Sequence, residues 1–378
     1  MKIILAFDSY KNCLSSPEVC NILQQSMQEV LPEAQIVSLP LGDGGEGTCR
    51  AVTAACGGTL NSCLVHDPLF RMVQAEWGLL PDNSAVLEIA SASGIELIDR
   101  TERNPMLTTT YGTGELLKHI IAGKSVRNIT IGIGGSATVD GGVGMLQALG
   151  VKFYDQDGTL LPVPASGEDI AAIRRIDASG ILPEIRDCQI RIASDVTNPL
   201  CGDNGAARVF APQKGADPAM VEFLEKNLEN FGTLSVKSTW ADTIDAPGDG
   251  AAGGLGFALR NYLNAVSVSG AELVLSLLEF DKIVQDADWV LTGEGCSDFQ
   301  TACGKLCSIV AAHSHKYNVP VILLSGALGE RFEELSDTFE AVFALTNAPC
   351  TLDEALNATP ANLRRMGRSI AKLISRKM

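Results

Sequence analysis

The sequence predicts an α/β protein of two domains with a substantial parallel sheet. Three observations predict it. The chain has 378 residues, more than one hydrophobic core normally fills. Short runs rich in Ile and Val alternate with longer stretches of helical periodicity. That alternation is regular at both ends and broken in the middle, which places one domain on the two termini, residues 1–70 plus 287–378, and a second, mixed α/β domain, residues 71–286, between them.

Taken in order, Lys2 to Phe7 (KIILAF) reads as a buried strand. Ser15 opens a helix, with Glu18 placed to complete a capping box and Val19, Ile22, Leu23, Met27 and Val30 as its apolar face. Gln35 to Leu41 is the next strand, and Thr48 to Cys56 a helix stopped by Gly57 and Gly58. Across Arg71 to Ala90 the pattern changes to an antiparallel hairpin turning at PDN. A strand and helix rhythm resumes over Gly114–Ala122, Asn128–Ile133, Gly142–Leu149 and Gln189–Ala193, while Tyr154 to Ile185 is irregular. Near the C-terminus come a strand at Trp289–Thr292, a helix at Gly304–His315, strands at Val319–Leu324 and near Ala341–Leu345, and a closing basic helix. His313 and His315 read as surface residues, since positions i and i+2 of a helix face different ways, and Trp77, Trp240 and Trp289 read as packing residues.

Composition narrows the function classes. With 46% hydrophobic and 20% charged residues the chain has material for buried cores, and no apolar run approaches a membrane span of roughly 18 residues. The eleven cysteines are scattered, and only Cys303 and Cys307 have close spacing, so reduced thiols in the cytoplasm are expected rather than a disulfide framework or a zinc site. A formal charge of -16 repels nucleic acid and anionic membranes. A small anionic substrate remains compatible where isolated basic residues in Gly-rich loops, such as Lys11, Arg71, Lys214 and Lys305, reverse the sign locally. Oligomeric state is open, a homodimer included.

Glycine loops carry the chemical signal. IGIGGSATVDGGVG, Ile131 to Gly144, contains Gly132, Gly134 and Ala137 as G-x-G-x-x-A, with Asp155 where a ribose-binding acid would stand. Val139 to Gly142 extend the flexible segment where a dinucleotide motif would already be helical, which disfavours NAD. The tripeptide Gly123-Lys124-Ser125 lacks the first glycine of a Walker loop, because that position is Lys118. Three further loops join glycines to acids: LGDGGEGT from Leu41, GDGAAGGLG from Gly248 and LTGEG from Leu291. Main-chain N–H groups in such loops approach anions, and their carboxylates bind Mg²⁺; the plain alternative is that Gly-Asp pairs make turns. Two clusters stand just beyond strands, where open α/β sheets bind ligands: Asp8, Ser9 and Lys11, and Asp195, Thr197 and Asn198.

Seven segments in order, FDSYKNCLSS, PLGDGGEGT, GIGGSATVDGG, SDVTNPLCGDNGAARVFAPQKGA, GDGAAGGLGFAL, ADWVLTGEG and LSGAL, make the chain resemble the class I bacterial glycerate kinases over nearly its whole length. The resemblance implies phosphorylation of D-glycerate by ATP with Mg²⁺ to 2-phosphoglycerate, with 3-phosphoglycerate as the alternative product. It also implies a Rossmann-like or flavodoxin-like domain formed by both termini, with an inserted α/β domain. The chain departs from the family pattern at CSDFQT, where Cys296 replaces an arginine while Asp298 and Gln300 are kept, and at Asn12 and Cys13, where Gly and Ser are usual. If that arginine met an anion, affinity should fall, or another base such as Lys305 must substitute.

The expected roles follow. Asp195 takes the proton of the glycerate hydroxyl or orients it through the metal, while Lys11 stabilises the transferring phosphoryl group and Asp8 positions substrate. Ser9, Arg71, Lys214, Asp298 and Gln300 are expected at the substrate; Gly134, Gly135, Ser136, Thr138, Gly141, Gly142, Thr292, Gly293 and Glu294 at the nucleotide; Asp43 and Glu46 at the metal. Two rival readings are an NAD-linked dehydrogenase and a non-catalytic sugar-acid sensor.

Overall fold

The structure, a computed structural model, describes residues 1–42, 45, 47–124, 126–237, 243–302 and 304–375. The chain divides into two compact units, one of Met1–Asp43, Arg50–Cys56 and Gly270–Met378, the other of Gly44–Cys49 and Gly57–Ser269.

The first unit holds a five-stranded sheet in the spatial order Ala341–Ala344, Val321–Ser325, Trp289–Gly293, Lys2–Phe7, Gln35–Ser38, with every neighbouring pair parallel. Renumbered within the unit this is the flavodoxin-like order 2-1-3-4-5. Both faces of the central strands are covered, which is why KIILAF and VILLS are continuous apolar runs rather than alternating ones. The helix Ser16–Gln28 is started by Ser15, whose N–H and hydroxyl donate to Glu18 at 2.8 and 2.6 Å. It buries Val19, Leu23 and Met27 in a core that includes Leu5, Leu291 and Leu324, together with Leu363 and Ile370 of the closing helix Leu352–Ile374. From Lys2–Phe7 the chain runs outward to Gln35–Ser38, whereas the later strands add on the opposite side. The topological switch point therefore lies at the carboxyl ends of Lys2–Phe7 and Trp289–Gly293.

The second unit is mixed. Its six-stranded sheet runs Val266–Val268, Gln189–Ala193, Asn128–Gly132, Ala85–Glu88, Met72–Leu79, Thr59–His66; the first four strands are parallel and the last two antiparallel. The hairpin expected around PDN is present as Met72–Leu79 paired with Ala85–Glu88. A further strand, Thr59–His66, escapes the sequence reading because TLNSCLVH is a sheet edge that leaves Leu60 and Leu64 exposed, so its apolar residues do not mark a core face. Within Tyr154 to Ile185 the short strand Arg175–Asp177 pairs with Lys152–Tyr154. Ile129, Ile131, Ile190 and Ile192 of the sheet pack with Leu116 and Ile120 from the helix Tyr111–Lys124, and with Phe231 and Phe257.

One surface expectation is corrected. The His313 side chain is only 14% exposed, held between Asp281 at 2.6 Å and Glu272 at 3.0 Å, because its helix, Leu306–His315, packs on Gly270–Leu277 and Phe280–Val284. Trp77 is fully buried, as a packing residue should be, while Trp240 lies outside the described residues.

Candidate functional site

In the first unit a cavity of about 440 Å³ opens at the switch point. Its polar wall carries Asp8, Ser9 and Lys11 from the turn after Lys2–Phe7, Glu294 from the turn after Trp289–Gly293, and Cys296 and Lys305 from the segments that follow. The two turns are locked to the sheet: the Asp8 N–H donates to Gly293 O at 3.0 Å, and the Tyr10 hydroxyl donates to Leu324 O at 2.7 Å. Burial raises the Tyr10 phenol well above its usual range, so it stays a neutral donor. The Ser9 N–H donates to Asp8 Oδ1 at 2.6 Å. Glu294 is held by hydroxyl donors, Ser297 at 2.8 Å and Thr301 at 2.7 Å on one oxygen. Burial, then Asp298 and Glu294, push the Cys296 thiol up, so it stands uncharged on the cavity wall.

The lining supplied by the closing helix is largely apolar and was not read from the sequence. Leu345 and, from the closing helix, Leu352, Ala355, Leu356, Thr359 and Asn362 line this part of the cavity. The helix positions fall on one stripe, but the net basic character of the helix hid it. Pro360 lacks an N–H within this helix, and the Leu356 carbonyl accepts instead from Cys13 Sγ at 3.2 Å.

The second unit contains the loop between Asn128–Gly132 and the helix Val143–Ala148. Only its first turn is accessible: Gly134 is half-buried and Gly135 exposed, whereas Ser136, Thr138, Gly141 and Gly142 are buried. Gly141 N donates to Gly253 O at 3.0 Å, and a Cβ on Gly253 would stand 2.0 Å from Thr138 O. These glycines serve the close approach of two loop backbones, GSATVDGG and GDGAAGG, more than the approach of a ligand. The acids of both loops are spent internally. Asp140, fully buried, accepts from Thr110 N and Oγ1 at 2.8 and 2.7 Å and from Gly142 N and Gly144 N at 3.0 and 3.2 Å. Burial raises its carboxyl while those donors pull it back. Asp249 forms a paired contact with Arg260, both bonds 2.7 Å. In these two loops the two acids, Asp140 and Asp249, are engaged by protein donors.

Other expected residues fall elsewhere. Arg71 is occupied by Asp67 at 2.7 Å and Glu102 at 3.2 Å, so its charge is already neutralised. Lys214 is 2% exposed, and its ammonium donates to Ser136 Oγ at 2.6 Å and Thr138 O at 2.7 Å. Burial, opposed by Asp140, pushes it down to about 7. Those two contacts pin the loop. Thr292 and Gly293 are sheet interior: the Thr292 hydroxyl donates to Ala6 O at 2.6 Å, and a Cβ on Gly293 would stand 1.8 Å from Leu324 O. Asp298 caps the following turn, accepting from Gln300 N at 2.9 Å, and Gln300 is exposed. Asp195 is exposed in the loop after Gln189–Ala193, where Asn198 donates to Asn204 O at 2.8 Å. Asp155 forms an exposed turn with Asp157 N and Thr159 N and marks no ribose site. Asp43 and Glu46 lie outside the described residues.

Comparison with known proteins decides the family. The model of the glycerate kinase family matches residues 3–375. The chain belongs to the glycerate kinase family. An Escherichia coli (strain K12) protein named glycerate 2-kinase is 43% identical over 377 residues, covering 99% of this chain and 98% of the relative. A Bacillus subtilis (strain 168) glycerate kinase is 39% identical over 376 residues, 99% of this chain and 98% of the relative. A crystal structure of a candidate glycerate kinase 2 from Salmonella typhimurium LT2 superposes with a TM-score of 0.88 at 41% identity, covering 100% of this chain and 99% of that one. As a glycerate kinase family member the protein is a kinase, and ATP is the phosphoryl donor. The departures from the family pattern acquire places. Asn12 has φ 61°, a left-handed value that Asn tolerates better than most residues where Gly is usual. Cys296 and Lys305 line the same cavity, so the base named as substitute stands where the arginine's replacement does.

Proposed function

We propose that the protein transfers the γ-phosphoryl group of ATP to the 2-hydroxyl of D-glycerate in the cytoplasm, giving 2-phosphoglycerate and ADP, with Mg²⁺ as cofactor. The carrying observation is that two lysines and two carboxylates, Lys11, Lys305, Asp8 and Glu294, line one cavity at the switch point of a parallel sheet. In a chain of net charge -16, that is where a polyanionic nucleotide finds local positive charge. The position of the reacting hydroxyl follows the Escherichia coli relative named glycerate 2-kinase. Free thiols at the cysteines among the described residues fit a reducing compartment. No helix among the described residues is long and apolar enough to cross a membrane.

The donor set fits magnesium. Among the described residues no cluster of three or more His, Cys, Asp or Glu side chains is arranged to hold a metal, but Mg²⁺ commonly takes one or two carboxylates and completes its shell with substrate phosphates and water. Asp8 and Glu294 supply such hard oxygens. Bound there, the ion neutralises phosphoryl charge. Lys11 and Lys305 hold phosphate oxygens as point charges, and Ser9 orients the substrate. In the second unit, Asp195, exposed in the loop after Gln189–Ala193, is our candidate for the general base of the reaction.

The test is ADP release coupled to a spectrophotometric readout with ATP, Mg²⁺ and D-glycerate, followed by phosphorus NMR of the product. Glycerate-dependent ADP release with the phosphoryl group on the 2-hydroxyl is expected. Absence of glycerate dependence overturns the activity, and a 3-phosphoglycerate signal overturns the position.

A further inference from the structure

The apolar wall of the cavity poses a question that phosphate chemistry does not answer. Leu352 is 74% exposed at the start of the closing helix, yet it belongs to the same lining as the buried Leu345 and the half-buried Leu356. A triphosphate gains nothing from such a wall, whereas a flat apolar ring buried against leucines does. Deeper on the same stripe stands Asn362, with 9% of its surface exposed. Among the described residues its carboxamide has no hydrogen-bond partner, unlike its neighbour Thr359, whose hydroxyl donates to Ala355 O at 2.9 Å. Its polar atoms are reached from the cavity rather than sealed in the core, so the amide is available to a ligand that pairs with it.

The carboxamide constrains that ligand. It presents an N–H₂ donor and a C=O acceptor side by side, and adenine presents the complement, an amino group beside a ring nitrogen, on either of its hydrogen-bonding edges. We propose that this end of the cavity is an adenine pocket, in which the Asn362 carboxamide reads the 6-amino edge of the base between Leu345 and Leu356. The proposal rests on the nucleotide reading of the cavity's polar wall and extends it from phosphate to base. It runs the nucleotide from Asn362 on the closing helix toward Lys11, Lys305 and Glu294 of the same cavity, with both ends inside one unit.

The experiment compares ATP with purine riboside triphosphate, which lacks the 6-amino group, in the wild-type protein and in Asn362→Leu. In the wild type, kcat/KM for ATP should exceed that for the analogue by roughly tenfold or more, the usual discrimination of a paired amide contact. In Asn362→Leu the ratio should fall to about one. Equal use of both nucleotides by the wild type overturns the proposal, and so does an undiminished preference in the variant. Should the variant fail to fold, the wild-type comparison alone decides. Calorimetric binding of ADP and of purine riboside diphosphate without glycerate separates the two readings: an ADP preference without glycerate turnover keeps the pocket and removes the activity, and turnover without preference does the reverse.

Discussion

Replacing Asp140 by alanine should destabilise the second unit by about 3–5 kcal/mol, and the estimate can be worked from its four hydrogen bonds. The carboxylate accepts three backbone N–H groups, those of Thr110, Gly142 and Gly144, and the Thr110 hydroxyl, all in a site with no exposed surface. Deleting the acceptor leaves three buried amides unsatisfied, at about 1–3 kcal/mol each, or roughly 3–9 kcal/mol in sum. Two effects reduce that. A water entering the vacated volume can satisfy part of the set, and the chain no longer buries a carboxyl that burial itself disfavours in its charged form. Asp140→Asn keeps one acceptor oxygen and turns an N–H₂ toward donors, so its loss should fall between wild type and alanine. Urea denaturation measures the totals, and hydrogen exchange at the Gly142 and Gly144 amides reports whether the loss is local. A loss below about 1 kcal/mol for Asp140→Ala, with those amides still protected, would refute the reasoning.

Three further outcomes are expected. Lys214 has a folded value of about 7 against the usual 10.5, so between those pH values the unfolded chain binds more protons and stability rises with pH; in Lys214→Met that rise should vanish, and a wild-type Tm falling from pH 7.5 to 9.5 relative to the variant would contradict it. Gly293→Ala puts a Cβ 1.8 Å from Leu324 O and should cost about 3 kcal/mol or more by parting the Trp289–Gly293 and Val321–Ser325 strands, which a normal Tm would disprove. Asp195→Asn should lower turnover by roughly 10²-fold or more with the fold intact by circular dichroism; turnover within about tenfold of wild type speaks against a general base.

Much of this was legible because local physics wrote it. KIILAF and VILLS are continuous apolar runs only a doubly covered parallel strand tolerates, and Ser15 with Glu18 announces a helix start through a capping box that is present. Asp8, Ser9, Lys11 and Glu294 could be placed at strand ends from their neighbours in sequence, and the structure sets them round one cavity. Lys214 and Arg71 show where such reasoning stops. A lone basic residue in a glycine-rich loop looks the same whether it faces solvent, a carboxylate pair or the back of another loop, and only the fold reveals Asp67, Glu102, Ser136 and Thr138 as their partners.

By itself, then, the sequence determined the α/β class, the run of strands and helices at both ends, and the family, because each depends on periodicity or on motifs read within a few neighbouring residues. Tertiary structure alone decided that some of the loop acids are consumed in packing. Asp140 and Asp249 are indistinguishable in sequence from ligand-binding acids, yet the fold brings Thr110, thirty residues away, to Asp140, and Arg260, a turn-and-helix away, to Asp249. The apolar wall of Leu345, Leu356 and Asn362 came from the fold too, since a helix near residue 360 meets the turn after residue 7 only once the parallel sheet has brought the two ends of the chain together.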